Sequence, residues 1–286
     1  MEWTECISTA ISYIEDNIID ELTVNDIAKQ AMVSPFYFQK GFAMLCGFTV
    51  SEYIKKRRLA LAGNELVSTD NRIIDIALKY GYDSPDSFTK AFTRFHGATP
   101  TSVRRGDAMI KSFASLKIKL TLEGGYTVDY KIVEKDEFAV IGVSKVLGYE
   151  NAAAEVPKLW AEFFKAGKDK LICCMYGINI DETMGNGNEF EYMIADNYDP
   201  TKDIPEGCVT RVIPKHTWAV FACNGPMPQT IQSVNQKIFS EWLPGCKEYE
   251  IAAGYNIEMY NDPAEYPKGT EDENYYSEVW IPVRKK

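Results

Sequence analysis

The sequence predicts two domains: an all-α domain with two helix-turn-helix units over residues 1–107, and an α+β domain of two pseudo-symmetric β-α-β-β repeats over residues 108–286. Three observations lead to this prediction. A nine-residue element occurs twice in the first third of the chain, a weaker repeat fills the remainder, and a modestly basic segment, residues 23–111, is followed by an acidic one.

The repeated element reads SPFYFQKGF at Ser34–Phe42 and SPDSFTKAF at Ser84–Phe92. In each copy the serine can cap a helix, the proline suits the first helical position, and two phenylalanines four residues apart share one face. Each copy follows a short stretch with helical spacing, so each forms a helix-turn-helix whose second helix can enter the major groove. The shared residues build one scaffold twice, and the variable positions read different bases. The alternative is that the repeats only build a small helical domain.

The stretch between the copies, residues 50–69, has helical periodicity and carries a basic run at residues 55–58, so we expect a helix that sets the distance between the two readers. Residues 23–111 hold 13 Lys+Arg against 8 Asp+Glu, whereas residues 112–286 hold 18 against 27. A modestly basic segment beside an acidic one is typical of a DNA reader joined to another module.

This first part resembles the AraC/XylS family of transcription regulators over roughly residues 5–105, through the motifs I-x-x-I-A-x-x-x-G-Y-x-S, F-x-x-x-F and G-x-T-P. The base-contacting positions that the resemblance implies are Phe36, Tyr37, Gln39 and Lys40 in the first helix and Pro85, Asp86, Ser87, Thr89 and Lys90 in the second. Pro85 and Asp86 are less suited to DNA than amide side chains. Asp86 either accepts a hydrogen bond from a cytosine amino group or caps its helix, so base reading by the second helix stays open.

The remainder of the chain contains the weaker repeat, in which VDYKIVEKDEFAVIGVSK aligns with VTRVIPKHTWAVFACNG at an offset of 80 residues. Each copy is read as strand, helix, strand, strand, which predicts an antiparallel sheet with both helices on one face and a cleft between the halves. Residues 106–125 are expected to form a linker and a first strand, and residues 185–188 a turn.

This second part looks like the GyrI-like domain, the effector-binding module of several multidrug-responsive regulators, and the order of the two domains is that of Rob-type regulators. Strand alternation puts Asn256, Glu258 and Tyr260 on one face, and the resemblance puts a ligand-binding glutamate at Glu258. The alternative is a satisfied or solvent-facing glutamate. The aromatic residues proposed as cleft walls are Tyr260, Trp280, Trp218, Tyr149, Trp160 and Phe163. Taken singly, each of the last four is better explained as a core residue than as a ligand wall. One carboxylate among aromatic walls suits a flat organic cation.

Enzyme motifs such as G-x-S-x-G, the P-loop and H-E-x-x-H do not occur, and His96 and His216 are isolated, so we expect no catalytic residue, metal or cofactor. Seven cysteines without C-x-x-C indicate reduced thiols, and neither a membrane span nor a secretory signal is apparent, which favours the cytoplasm. The expected partners are double-stranded promoter DNA, a small cationic aromatic effector and, as a further candidate, RNA polymerase. Two alternatives remain open: a GyrI-like hydrolase in which Glu258 activates water, and an architectural DNA-binding protein without effector.

Overall fold

The computed structural model describes residues 3–117, 129–149, 151–173, 175–182 and 189–286. The chain divides into two compact units: unit 1 comprises residues Met1–Val33 and Cys46–Thr121, and unit 2 comprises Ser34–Leu45 and Leu122–Lys286. Residues 34–45, which hold the first copy of the repeated element, therefore pack with the C-terminal part of the chain. The domain boundary at 107/108 stays a prediction. The turn at residues 185–188 and the end of the expected linker and strand, 118–125, lie outside the described residues.

Helices make up the N-terminal part of the chain. They are α1 (Trp3–Asp16), α2 (Val24–Gln30), α3 (Pro35–Cys46), α4 (Val50–Ser68), α5 (Ile73–Lys79), α6 (Pro85–His96) and α7 (Pro100–Arg104). All except α3 belong to unit 1. The sequence predicted the positions of α2 to α6, because their caps and apolar spacing are local signals.

Helix caps in unit 1 follow the sequence closely. The Oγ1 atom of Thr23 accepts from the backbone N–H of Asp26 at 3.1 Å, and the Oγ atom of Ser84 accepts from the N–H of Ser87 at 3.2 Å. Helix α6 ends at Gly97, whose φ of 81° is the left-handed conformation that glycine adopts without strain. Ser84 is therefore the residue that caps the second predicted reading helix.

The second helix-turn-helix is held together by an apolar cluster in which Phe88 and Phe92 are fully buried. These rings pack with Leu59 and Leu66 of α4 and with Ile76 of α5. Burying each such side chain contributes roughly 1.5–3 kcal/mol relative to leaving it exposed. The spacing of the two phenylalanines thus directs one face of α6 inward and leaves its other face to solvent.

Part of the basic run on α4 serves the structure of unit 1. Arg57 forms an ion pair of 2.6 Å with Glu15 of α1, and the guanidinium of Arg58 donates to the carbonyl oxygens of Ile18 and Asp20 at 2.7 and 2.6 Å. These two arginines join α4 to the N-terminal segment, so the run at residues 55–58 is not wholly a DNA-facing surface.

Unit 2 is built on an antiparallel sheet with helices. Its elements, besides α3, are β1 (Tyr130–Lys135), β2 (Phe138–Gly148), α8 (Ala152–Lys165), β3 (Tyr176–Ile180), β4 (Glu189–Asn197), β5 (Val209–Ile213), β6 (His216–Asn224), α9 (Gln229–Lys237), α10 (Leu243–Gly245), β7 (Tyr249–Ile251), β8 (Tyr255–Tyr260) and β9 (Tyr276–Lys285). The order across the sheet is β1-β6-β9-β8-β3-β4-β2-β5, and β7 also pairs with β9.

The expectation of one strand before each helix is wrong, because each copy supplies two. The first breaks at residues 136–137 and the second at residues 214–215, where Pro214 has no N–H for a ladder. The strands exchange partners between the copies: β1 pairs with β6, and β2 pairs with β5. The pseudo-symmetric relation of the two copies stays a prediction.

The central strands β3 and β8 define two different faces of the sheet. One face carries an apolar cluster that includes Tyr176, Ile257, Trp218 and Trp280. The other face carries Glu258, which lies opposite Gly177 in the ladder. Helices α8 and α9 both send side chains to this second face: Trp160 of α8 contacts Tyr260, and Asn235 of α9 hydrogen-bonds to Glu258.

Candidate functional site

Glu258 is a half-buried carboxylate on β8 with donors from two directions. Its Oε2 accepts from the hydroxyl of Tyr260 at 2.8 Å, and its Oε1 accepts from the Nδ2 of Asn235, on α9, at 3.3 Å. Burial and the nearby carboxylate raise the pKa of the Tyr260 phenol well above its usual value, so that phenol remains a donor. The sequence prediction that Glu258 needs partners is met by these side chains.

Lys40, on α3, extends to the same face of the sheet. Its Nζ donates to the Oδ1 of Asn256 at 2.7 Å, and it lies 5.9 Å from the ring centre of Phe36 and 6.0 Å from that of Phe239. Burial lowers the pKa of the Lys40 ammonium, and the charge of Glu258 opposes that effect. The Lys40 ammonium, which is itself an organic cation close to two aromatic rings, thus lies within the electrostatic field of the Glu258 carboxylate.

The first turn of α3 fixes this arrangement. Tyr37 is fully buried, and its hydroxyl donates to the backbone carbonyl of Tyr255 on β8. The ring of Phe36, only 3% exposed, lies 6.1 Å from that of Tyr149 and 6.0 Å from that of Phe190. The two aromatic residues that begin α3 after its proline therefore pack into unit 2.

A cavity of about 370 Å³ borders Tyr260. Its lining is mainly apolar and includes Trp160, Phe164, Met175, Met227, Tyr260 and Tyr275. The ring of Trp160 meets that of Tyr260 edge to face at 5.6 Å, and its Nε1 donates to the hydroxyl of Tyr192 at 2.8 Å. Trp160 and Tyr260 thus line an apolar space, and the hydroxyl of Tyr260 connects that lining to the Glu258 carboxylate.

The expectation that Trp280 and Tyr260 wall one cleft is wrong. In the ladder, Glu258 pairs with Val279, whereas Trp280 pairs with Ile257 and points to the opposite face. Trp218 lies in the same opposite cluster, with its ring 6.1 Å from that of Trp280. The one-residue offset between β8 and β9 reverses the face, and alternation within a single strand could not reveal it.

Two other aromatic candidates, Phe163 and Tyr149, lie on the side of the sheet that carries Glu258 but serve mainly as core residues. Phe163 is 2% exposed and packs within the cluster under α8. Tyr149 stacks on Phe190 at 5.0 Å, and its hydroxyl donates to Asp181 at 2.7 Å. Their roles in ligand binding stay predictions.

The predicted base-reading residues differ sharply in exposure between the two copies. On α6 of unit 1, Pro85, Asp86, Ser87 and Lys90 are exposed and Thr89 is half-buried. On α3 of unit 2, Phe36 and Tyr37 are buried and Gln39 and Lys40 are half-buried. Base contact by either set stays a prediction, and only the set on α6 is open to solvent in this structure.

Sequence reasoning did not find Asn256, Asn235 or Asn179 as site residues. Asn256 is fully buried, and its Oδ1 faces Lys40 as well as the Nδ2 of Asn179, which lies opposite it on β3 at 3.4 Å. The signal that the sequence offered was an asparagine, Asn256, inside a largely apolar strand, because a buried asparagine requires hydrogen-bonding partners. In the part of the chain that the structure describes, no cluster of three or more His, Cys, Asp or Glu suited to a metal occurs, and no helix is long and apolar enough to cross a membrane.

Comparison with known proteins agrees with both halves of this architecture. Residues 131–283 match the family described as integron-associated effector binding protein, and residues 27–106 match a helix-turn-helix domain family. Over 114 residues the chain is 35% identical to the transcriptional activator AarP of Providencia stuartii. This alignment covers 40% of this chain and 84% of AarP. Over 104 residues it is 36% identical to the regulatory protein SoxS of Salmonella typhimurium, which spans 36% of this chain and 97% of that protein.

Among solved structures, part of the chain is similar to SAV2435, a protein whose structure was determined with tetraphenylphosphonium bound. The likeness has a TM-score of 0.47 at 18% identity and covers 55% of this chain and 94% of that one. The chain belongs to the AraC family of DNA-binding transcription regulators and carries a GyrI-like effector-binding domain of the integron-associated type.

Proposed function

We propose that the effector of this regulator is a small aromatic cation and that Glu258 is the counter-charge that selects it. The observation that carries the proposal is that an organic cation, the Lys40 ammonium, already lies in the field of Glu258 between two aromatic rings. A site that accommodates an alkylammonium in this way offers charge pairing and cation–π contact to a ligand of the same chemistry.

The apolar cavity beside Tyr260 supports the aromatic part of the proposal. A volume of about 370 Å³ falls within the roughly 300–1,000 Å³ of small-molecule sites, and its lining is aromatic, apolar and rich in methionine. Methionine side chains adapt to ligands of different shape. A flat ring in this cavity and a positive charge directed past Tyr260 toward Glu258 would satisfy both halves of the site.

We further propose that Glu258 binds rather than catalyses. Both oxygens of the Glu258 carboxylate already accept hydrogen bonds, Oε2 from Tyr260 and Oε1 from Asn235. The relatives AarP and SoxS are regulators, and we propose that this chain likewise acts in the cytoplasm on promoter DNA, with RNA polymerase as a candidate contact.

Calorimetric titration of the full chain with N-methylquinolinium and with neutral methylnaphthalene of the same shape tests the proposal. Glu258→Gln keeps the shape of the side chain and removes its charge. We expect this change to lower the affinity for the cation by about tenfold or more, because a partly buried ion pair contributes more than a surface pair. The affinity for the neutral ligand should change little. Equal losses for both ligands would assign Glu258 to the fold. Turnover of an ester without cation binding would favour the hydrolase.

A further inference from the structure

The first predicted reading helix is engaged within unit 2 by the residues that would touch DNA. Phe36 is 3% exposed and Tyr37 is fully buried, and the Lys40 ammonium is hydrogen-bonded to Asn256. A side chain that is buried against a sheet cannot at the same time contact base edges in a major groove. In this structure α3 is therefore not available as a reader.

The two copies of the repeated element differ at the positions that decide this behaviour. Where α3 has Phe36 and Tyr37, α6 has Asp86 and Ser87, and the latter pair is exposed. Both copies keep the lysine of the shared frame, but Lys90 is exposed and Lys40 is half-buried. Aromatic residues give α3 an apolar surface that binds the sheet, whereas polar residues keep α6 in solvent. In this structure the copy with aromatic residues docks, and the copy with polar residues does not.

Docking of α3 also includes unfavourable free-energy contributions, which lower the free energy needed to release the helix. The Nε2 atom of Gln39 is buried and has no hydrogen-bond partner among the described residues, and an amide left in this way destabilises the docked state. The Lys40 ammonium loses water on burial, and that loss opposes its charge. Release of α3 would restore water to both groups.

We propose that α3 is an internal ligand of the effector site: Lys40 occupies a cationic position at Asn256, on the same strand as Glu258, and an incoming aromatic cation displaces it and frees the helix to read DNA. The idea rests on the proposed function of Glu258 and adds its regulation. Because effector and DNA would both favour the released helix, each should increase the affinity of the other. Without effector the protein would read DNA through α6 alone.

Amine labelling of the wild-type full chain, read out residue by residue by mass spectrometry, tests the docking without any substitution. Lys90 is the matched control, because it holds the same position of the repeated frame and is exposed. In the free protein we expect Lys40 to react about tenfold or more slowly than Lys90, as for a group reached only through local opening. Saturating N-methylquinolinium should bring the two rates together. Equal rates in the free protein would overturn the docking.

A second arm does not depend on any effector. Asn256→Ala removes the acceptor of Lys40 from the sheet and leaves α3 unchanged. A tenfold change in an equilibrium constant corresponds to about 1.4 kcal/mol, which is close to the contribution of one hydrogen bond to a charged group. We therefore expect the variant to show about tenfold faster labelling of Lys40. We also expect the free variant to bind DNA up to about tenfold more tightly than the free wild type. A circular dichroism melt establishes that the variant is folded, and the wild-type labelling arm stands if it is not.

The outcomes separate the two proposals. If N-methylquinolinium fails to bind while Lys40 is protected and Asn256→Ala releases it, the effector chemistry is wrong and the docking stands. If the cation binds in a Glu258-dependent manner while Lys40 stays protected, the effector site stands and the competition with α3 is wrong.

Discussion

The Nζ atom of Lys40 lies 2.7 Å from the Oδ1 atom of Asn256, although the two residues are 216 positions apart in the chain. The first belongs to a helix that the sequence marks as a DNA reader, and the second to a central strand of the effector-binding sheet. If both proposals hold, this hydrogen bond joins the DNA-reading helix to the effector site at one pair of side chains.

Half-site spacing is the first prediction. With effector present, α3 and α6 should read major-groove segments about one helical turn, or roughly 34 Å, apart, and insertion of about five base pairs between the half-sites should abolish tight binding. In the free protein the same insertion should change affinity little, because only α6 reads. Gel-shift titrations on DNA selected from random sequence would measure both. Binding to one half-site regardless of spacing, with effector saturating, would refute the two-reader account.

Base reading by the first helix is the second prediction. Gln39 can form a bidentate contact with adenine, so Gln39→Ala should cost about 1–3 kcal/mol at one base position and relax specificity there. Lys40→Ala is the companion variant: if Lys40 contacts a phosphate, the slope of log affinity against log salt should fall by about 1. Both are measured on the effector-bound protein against a set of single-base variants of the selected site. A uniform loss for Gln39→Ala across that set would contradict its reading role.

The sequence predicts more about helix α6 than about helix α3. The caps at Thr23 and Ser84 and the buried pair Phe88 and Phe92 are local signals, and the structure has them as predicted. The buried state of Phe36 depends on contacts with residues more than a hundred positions away, and no local pattern reports such contacts. The sequence therefore predicted where α3 begins but not which surface it binds.

The same distinction holds for the effector site. Alternation along β8 correctly put Glu258 and Tyr260 on one face, because that period belongs to a single strand. The face of Trp280 depends on the register between β8 and β9, which is a relation between strands. The error over Trp280 and Trp218 follows from that difference.

Packing of the sheet gives the third prediction, through Gly142 of β2. A Cβ atom at this position would lie 2.0 Å from the carbonyl oxygen of Ile194 and 2.7 Å from the Cα of Ala195, which are backbone atoms that cannot rotate away. Gly142→Ala should lower the free energy of unfolding by about 2 kcal/mol or more. Gly245→Ala is the control, since nothing lies within 4 Å of its Cβ, and should change stability by less than about 0.5 kcal/mol. Similar chemical-denaturation midpoints for the two variants would contradict the close approach.

The fourth prediction concerns pH and His96 in unit 1. The Nδ1 of this buried ring accepts from the N–H of Lys111 at 3.0 Å, so Nε2 carries the proton and donates to the carbonyl of Leu59 at 3.0 Å. Burial lowers the pKa of His96 below its usual 6.5, because the charged ring would lose water and this acceptor role. Below pH 6.5 the unfolded chain takes up a proton that the folded chain resists. Stability is therefore present above this pH and is lost as pH falls from it through the folded pKa.

His96→Gln keeps a donor and an acceptor without a charge that titrates in this range. Denaturation at about pH 7.5 and about pH 5.5 should show a smaller loss of stability for the variant than for the wild type. Burial also lowers the pKa of His216, the other histidine, so some loss persists in the variant. Identical pH dependence of the two proteins would show that His96 is not the group that resists protonation.

Affinity of the full chain for its selected DNA site, measured by fluorescence anisotropy with and without saturating N-methylquinolinium, tests the account most directly. Displacement of Lys40 from Asn256 predicts that the cation tightens DNA binding by about tenfold, and that Glu258→Gln loses this response while methylnaphthalene never produces it. If the cation binds in a Glu258-dependent manner and DNA affinity is unchanged or falls, effector binding does not release the first reader, and the account is contradicted.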